Sequence, residues 1–207
     1  MSLKEKQLKI EKVKKAILNL KNSPFYLDRV ENNYLPVIGD GSLNAKILFI
    51  GEAPGKNEAK SGKPFCGASG KVLDELLKSV NLSRKNVYIT NIVNDRPPKN
   101  RDPKPEEIKM YSKFLDRQIE IIEPKIIATL GRFSAEYIMN KFGLDGKFEV
   151  ISKIHGKQFE ANLAISKDKN TKKIIIIPLF HPAVAIYNRK RLPELKEDFK
   201  IIKTFIS

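Results

Sequence analysis

The chain has 207 residues, 41 % hydrophobic and 30 % charged, enough to bury a sizeable core and too apolar for wholesale disorder. Its net charge of +15 points to a polyanionic partner, nucleic acid before an acidic membrane surface, with a lysine-rich proteome as the bland alternative. A single cysteine, Cys66, excludes a disulfide framework and a Cys-ligated iron–sulfur or zinc cage, and two histidines make no His-rich metal site, so no metal or other cofactor is expected.

Residues 3–20 carry Leu3, Leu8, Ile10, Val13, Ile17 and Leu20 among lysines, and this spacing predicts an amphipathic helix within segment 1–22. The basic N-terminus lacks the continuous apolar core of a secretory signal, and no apolar stretch approaches the roughly 20 residues that span a bilayer. A cytoplasmic protein with no membrane partner is expected. Four short apolar runs predict buried parallel strands: Lys46–Ile50, Val87–Thr90, Lys125–Leu130 and Ile174–Pro178. Helical patterns lie between them at Gly70–Val80, Pro105–Ile122 and Ser134–Lys141. His155–Ile165 reads as extra strand, with Lys167–Asn170 as a turn before the last run. The proline-rich stretch Asn94–Glu106 reads as a stiff loop, because strand–helix alternation continues on both sides. The expected architecture is α/β: one domain over 1–207, a three-layer α/β/α sandwich around a four-stranded parallel sheet.

Open parallel α/β sheets bind ligands beyond the carboxyl ends of their strands. The four runs end in Gly51-Glu52-Ala53-Pro54-Gly55, Thr90-Asn91, Gly131-Arg132 and Phe180-His181-Pro182-Ala183. One sheet edge therefore collects a carboxylate, a carboxamide, a guanidinium and an imidazole. Each has a plain reading alone: a tight turn, a capping asparagine, a structural histidine. Together they form a candidate site.

The segments ILFIGEAPGKNE, SGKPFCGASGKVLDELL, VYITNIVNDRPPKNRDP, EPKIIATLGRFSAEYI and PLFHPAVAIYN cover most of residues 46–188. In this order and spacing they resemble the uracil-DNA glycosylase superfamily, most closely its family 4 enzymes. The resemblance implies a monofunctional hydrolase that flips uracil out of DNA and cleaves the N-glycosidic bond in base excision repair. It implies that Phe65 stacks on the extruded base, Asn91 reads the pyrimidine edge and His181 faces uracil O2. Gly51 and Ala53 would line the same pocket. Glu52 would position water or stabilise an oxocarbenium ion, because Ala53 stands where some members have an aspartate. Glu58 would brace the loop or lie solvated. Ser61, Lys63 and Ser69 are candidate phosphate contacts. Pro182 and Ala183 begin a segment resembling a minor-groove loop, with Ile186 and Tyr187 as wedges and Arg189 and Arg191 as backbone contacts.

Typical family 4 enzymes hold a four-iron, four-sulfur cluster on cysteines. By approximate alignment those positions here are Leu20, Ser23, Asp95 and Tyr111, so packing by Leu20, Phe25, Tyr26 and Tyr111 is expected to replace it. A related branch bonds covalently to uracil-DNA through a histidine in an inserted loop, but residues 92–106 contain no histidine. No identifiable Schiff-base lysine suggests a lyase step. The expected partner is uracil-containing DNA, bound by a monomer. The alternatives are a glycosylase for another deaminated base such as hypoxanthine, and a non-catalytic protein that binds damaged DNA. A small-nucleotide-binding protein would lack its usual Walker or dinucleotide fingerprint.

Overall fold

The computed structural model describes residues 1–164 and 171–205. In chain order its elements are α1 (Leu3–Leu18), α2 (Tyr26–Glu31), β1 (Asp40–Gly41), β2 (Ile47–Gly51), α3 (Lys56–Ser61), α4 (Ala68–Ser79), β3 (Tyr88–Asn91), α5 (Pro105–Ile122), β4 (Ile126–Leu130), α6 (Arg132–Lys141), α7 (Ile151–Ile154), β5 (Phe159–Ala164), β6 (Thr171–Leu179), α8 (Val184–Tyr187) and α9 (Leu192–Lys203). The strand order is β1-β3-β2-β4-β6-β5. The four expected strands form the parallel centre. The sheet is nevertheless mixed and six-stranded, because β1 and β5 add antiparallel edges. Strand β1 is only Asp40-Gly41, too short and polar to leave a periodic signal. The expected turn Lys167–Asn170 lies outside the described residues.

Both faces of the sheet are covered, which is why its central strands read as continuous apolar runs. On one face Ile47, Phe49, Ile89, Ala128 and Ile177 pack against Leu73, Leu76 and Leu77 of α4 and Leu195 and Phe199 of α9. Their sequence neighbours Leu48, Ile50, Tyr88, Ile127 and Ile176 face Leu115 and Ile119 of α5 and Ile138 of α6. The period-two alternation thus builds the α/β/α layers from one set of strands. Truncating a buried leucine such as Leu73 or Leu48 would cost about 2–5 kcal/mol.

Helix α1 packs apart from the two clusters on the sheet faces. Its Val13 and Ile17 join Phe25, Tyr111, Phe114 and Ile121 in a separate cluster on the outer side of α5. A capping box starts the helix: Glu5 N–H donates to Ser2 Oγ at 3.3 Å and Ser2 N–H to Glu5 Oε2 at 2.7 Å. One lysine of its basic face is not solvated. Lys6 is buried and donates to the carbonyls of Leu43 (3.0 Å) and Ile122 (3.2 Å). Ile122 ends α5, where the helix dipole favours a cation.

Candidate active site at the carboxyl ends of the strands

A cavity of about 180 Å³ opens at the carboxyl edge of the sheet, lined among others by Glu52, Phe65, Ser69, Asn91 and His181. Sites for drug-sized ligands are roughly 300–1,000 Å³, so this volume suits a small ring. Three side chains separated by long stretches of sequence, Phe65, Asn91 and His181, therefore share one cavity, as do Glu52 and Ala53.

Strand pairing explains the arrangement. Gly51 at the end of β2 is in register with Asn91 at the end of β3. A Cβ on Gly51 would strike Asn91 Oδ1 and sit 2.6 Å from the Phe65 ring, so the missing side chain lets carboxamide and ring converge. Asn91 is buried, and its Oδ1 has no hydrogen-bond partner. A buried, unpaired carboxamide oxygen is costly unless a ligand pairs with it. Phe65 is 6 % exposed and holds a left-handed backbone at φ 49°. Its ring centroid lies 5.8 Å from that of His181, with the planes tilted by 34°.

The chain leaves β6 through Phe180 and His181 into α8. Ala183 N–H donates to His181 Nδ1 at 3.1 Å. In the neutral imidazole that contact assigns the proton to Nε2. Burial pushes the His181 pKa down from 6.5 to about 4, so the ring is neutral at physiological pH. The site thus holds an uncharged N–H donor. Glu52 shifts the other way. Burial first, and then the charge of Asp102, raise its pKa from 4.5 to about 7, while Arg132 pulls it down. Asp102 and Arg132 form an exposed ion pair at 2.7 Å.

Other expected residues fall around this centre. Glu58 braces the loop: its Oε1 accepts from the N–H groups of Cys66 (2.9 Å) and Gly67 (2.7 Å), on either side of which lie Phe65 and α4. Ser61 Oγ accepts from Lys63 N–H at 3.2 Å and contacts Cys66 Sγ, so it acts within the same turn. Ser69 lies in the first turn of α4 and lines the cavity. Lys63 is exposed. Pro182 and Ala183 open the turn into α8, whose Ile186 and Tyr187 are 45 % and 89 % exposed. The arginines that follow are not free cations. Arg189 pairs with Glu75 at 2.6 Å, and Arg191 pairs with Glu194 at 2.8 Å and lies 4.3 Å over the Phe180 ring. Pro97, Asn100 and Arg101 of the proline-rich loop also line the cavity. They lie beyond the expected site residues, and their sequence signal is the RPPKNR motif itself.

The fold and site define an α/β/α protein with a pocket for a lone ring at the sheet's carboxyl edge. The sequence model of the Uracil DNA glycosylase superfamily matches residues 38–203, and the chain belongs to that superfamily. It is 46 % identical over 195 residues to a Type-4 uracil-DNA glycosylase of Sulfurisphaera tokodaii, covering 94 % of this chain and 83 % of that protein. Over 176 residues it is 44 % identical to the Type-4 enzyme of Archaeoglobus fulgidus, covering 85 % of this chain and 83 % of the relative. The Type-4 enzyme of Thermotoga maritima is 38 % identical over 200 residues, 95 % of this chain and 92 % of its own.

The positions aligned with cluster cysteines do not fit a cluster. Leu20 offers no donor atom, and the other three residues are engaged in a buried network. Ser23 Oγ meets Tyr111 Oη at 2.7 Å, and Tyr111 Oη donates to Asp95 Oδ2 at 2.6 Å. Arg29 donates to both Asp95 oxygens at 2.8 and 3.2 Å. The expected apolar replacement is therefore only half the finding. Leu20, Phe25 and Tyr111 do pack together, the two rings at 5.9 Å, but around a polar core. Tyr26 lies instead under the Arg29 guanidinium. Among the described residues, no group of three or more His, Cys, Asp or Glu is placed to hold a metal ion.

Proposed function

We propose that the protein is a uracil-DNA glycosylase that excises uracil from DNA by hydrolysis. The observation that carries this reading is the convergence of Phe65, Asn91 and His181 on one ring-sized cavity. The names of the Type-4 relatives support the same activity.

In this reading the extruded base stacks on Phe65, replacing neighbours lost from the duplex. Asn91 Oδ1 accepts from uracil N3–H, and its amide donates to O4; the unpaired Oδ1 supports that role. Cytosine presents the reversed pattern and leaves the buried amide mispaired. His181 Nε2–H donates to O2. As the C1′–N1 bond breaks, its electron pair moves onto the base and negative charge grows on O2, where this donor gains strength. Water adds at C1′ and gives up a proton, which passes through solvent to the departed uracil anion, leaving an abasic sugar and free uracil. The Glu52 carboxylate orients that water or faces the cationic sugar.

On the DNA side, Ile186 and Tyr187 fill the gap left by the flipped nucleotide. Pro182 and Ala183 shape that wedge. Ser61, Lys63 and Ser69 lie toward phosphates, and Arg189 and Arg191 reach the backbone only by releasing Glu75 and Glu194. In this reading the 207 residues act as one domain and as a monomer. The exposed Cys66 thiol supports work in the reducing cytoplasm. Release of free base from duplexes carrying uracil, hypoxanthine, xanthine or mismatched thymine tests the proposal. Uracil alone is expected to be released. Release of another base in preference, or equal uracil release by His181→Ala, overturns it.

A further inference from the structure

Phe65 occupies a backbone conformation that a bulky residue adopts only under constraint, and the constraint is visible. Two charged side chains from different elements grip its turn. Glu58 of α3 accepts the N–H groups that follow Phe65. Arg84 takes the carbonyls. Its Nη1 donates to Pro64 O at 3.0 Å and its Nη2 to Phe65 O, while Nε donates to Asp74 Oδ1 of α4 at 2.6 Å. All three nitrogens of the planar guanidinium thus donate, in a geometry that a lysine ammonium cannot reproduce.

The space for this clamp is made by Gly70. A Cβ there would overlap the Phe65 carbonyl and lie 3.2 Å from Arg84 Nη2. Arg84 also sits in the short 3-10 turn Arg84–Asn86 that leads directly into β3. The same turn therefore touches the Phe65 loop and launches the strand that ends in Asn91.

We propose that Arg84 is a positioning residue for base recognition: it holds the Phe65 turn so that the ring faces the cavity in register with Asn91. The proposal rests on the reading of Phe65 as the stacking surface. Arg84 itself does not line the cavity and acts only through Phe65. Free backbone at Pro64 and Phe65 would let the ring swing away from the base.

The test is single-turnover uracil release by Arg84→Met, which keeps an apolar stem and removes all donors, in the wild-type and the Phe65→Ala backgrounds. Undamaged duplex binding and thermal midpoint are read on the same samples. Arg84→Met is expected to slow release roughly 10-fold in the wild-type background, the scale of one base stack. In the Phe65→Ala background it is expected to slow release less than about twofold, because the group it positions is gone. Binding to undamaged duplex stays the same. Equal slowing in both backgrounds overturns the proposal, as does no slowing in the wild type. If Phe65→Ala itself leaves release unchanged, the stacking reading fails and takes the proposal with it. Arg84→Gln, which retains one donor group, runs the same cycle should Arg84→Met fail to fold.

Discussion

Glu52 supplies the most discriminating prediction, because its environment and its proposed role make opposite demands. Raising a carboxyl from 4.5 to about 7 corresponds to about 3 kcal/mol against ionisation. The ionised form is the one that orients water or faces a cationic sugar. Single-turnover uracil release at saturating DNA should therefore climb as pH rises through 7, with the rate at pH 6 on the order of a tenth of the plateau. Glu52→Gln should remove this limb. Asp102→Asn takes away a repelling charge and should move the limb to lower pH; Arg132→Ala takes away an attracting one and should move it higher. Stability carries the reverse sign. The folded-state pKa is raised, so the contribution of Glu52 is complete below about 4.5 and is lost as pH rises through about 7. Glu52→Gln should thus gain thermal midpoint over wild type at pH 8 and not at pH 4.5. A limb that survives unchanged in Glu52→Gln, or that ignores both neighbours, refutes the assignment.

Asn91→Ala and His181→Ala should each lower single-turnover release by roughly 10²–10³-fold, the usual loss for a donor aimed at developing charge. Fluorescence anisotropy on undamaged duplex should meanwhile change less than about twofold; a matching loss of binding would place both residues in DNA holding. Lys190 is exposed between two arginines already held by Glu75 and Glu194. Its replacement by alanine should reduce the slope of log K against log salt by about 1, and more than Arg189→Ala does. Equal slopes would mean the ion pairs open freely. Tyr111→Phe leaves Asp95 and Ser23 each short of a partner and should cost roughly 1–3 kcal/mol by denaturant unfolding. Chelator treatment should alter neither the unfolding midpoint nor the rate, and a fall in either would show bound iron to matter.

Legibility of the sequence followed covering. Ile47–Ile50 and Ile126–Leu130 could be read because helices bury both sides of the sheet, leaving unbroken apolar runs. Asp40-Gly41 could not, since it is a two-residue exposed edge in which Gly41 has no side chain to carry a pattern. Helix α9 carries a helical signal in Leu192, Leu195, Phe199 and Ile202, beside a more conspicuous basic run. That Glu52, Asn91 and His181 share one cavity was legible because a parallel sheet puts all its carboxyl ends on one edge. The state of His181 was not, because it depends on Ala183 N–H and on burial. The arginines that follow α8 show the same limit. Their charge was plain, but the partner of Arg189 lies 114 residues away.

The buried network of Ser23, Tyr111, Asp95 and Arg29 connects these observations to the rim of the cavity. Burial raises the Asp95 pKa, while Tyr111 and Arg29 oppose that rise by bonding to the charged form. Arg29 in turn donates to the carbonyls of Ile17 and Leu18, at the negative end of α1. The charges are thus met on several sides, which offsets much of their desolvation; removing one partner is far worse than never having had the pair. What such a network supplies is direction. Asp95 can satisfy Arg29 and Tyr111 together in few arrangements, so the start of the proline-rich loop is fixed against the N-terminal helices. A few residues on, Arg101 forks onto Glu107 at 2.6 and 2.8 Å and lies over the Phe25 ring. Between these two anchors run Pro97 and Asn100, with Lys99 and Asn100 both in left-handed backbone. A strained loop holds its shape only where its ends are over-determined. Here hydrogen bonds do the tying, with Asp95 bonded at one end of the loop and Arg101 bonded to Glu107 at the other, so the cavity rim is held from both sides.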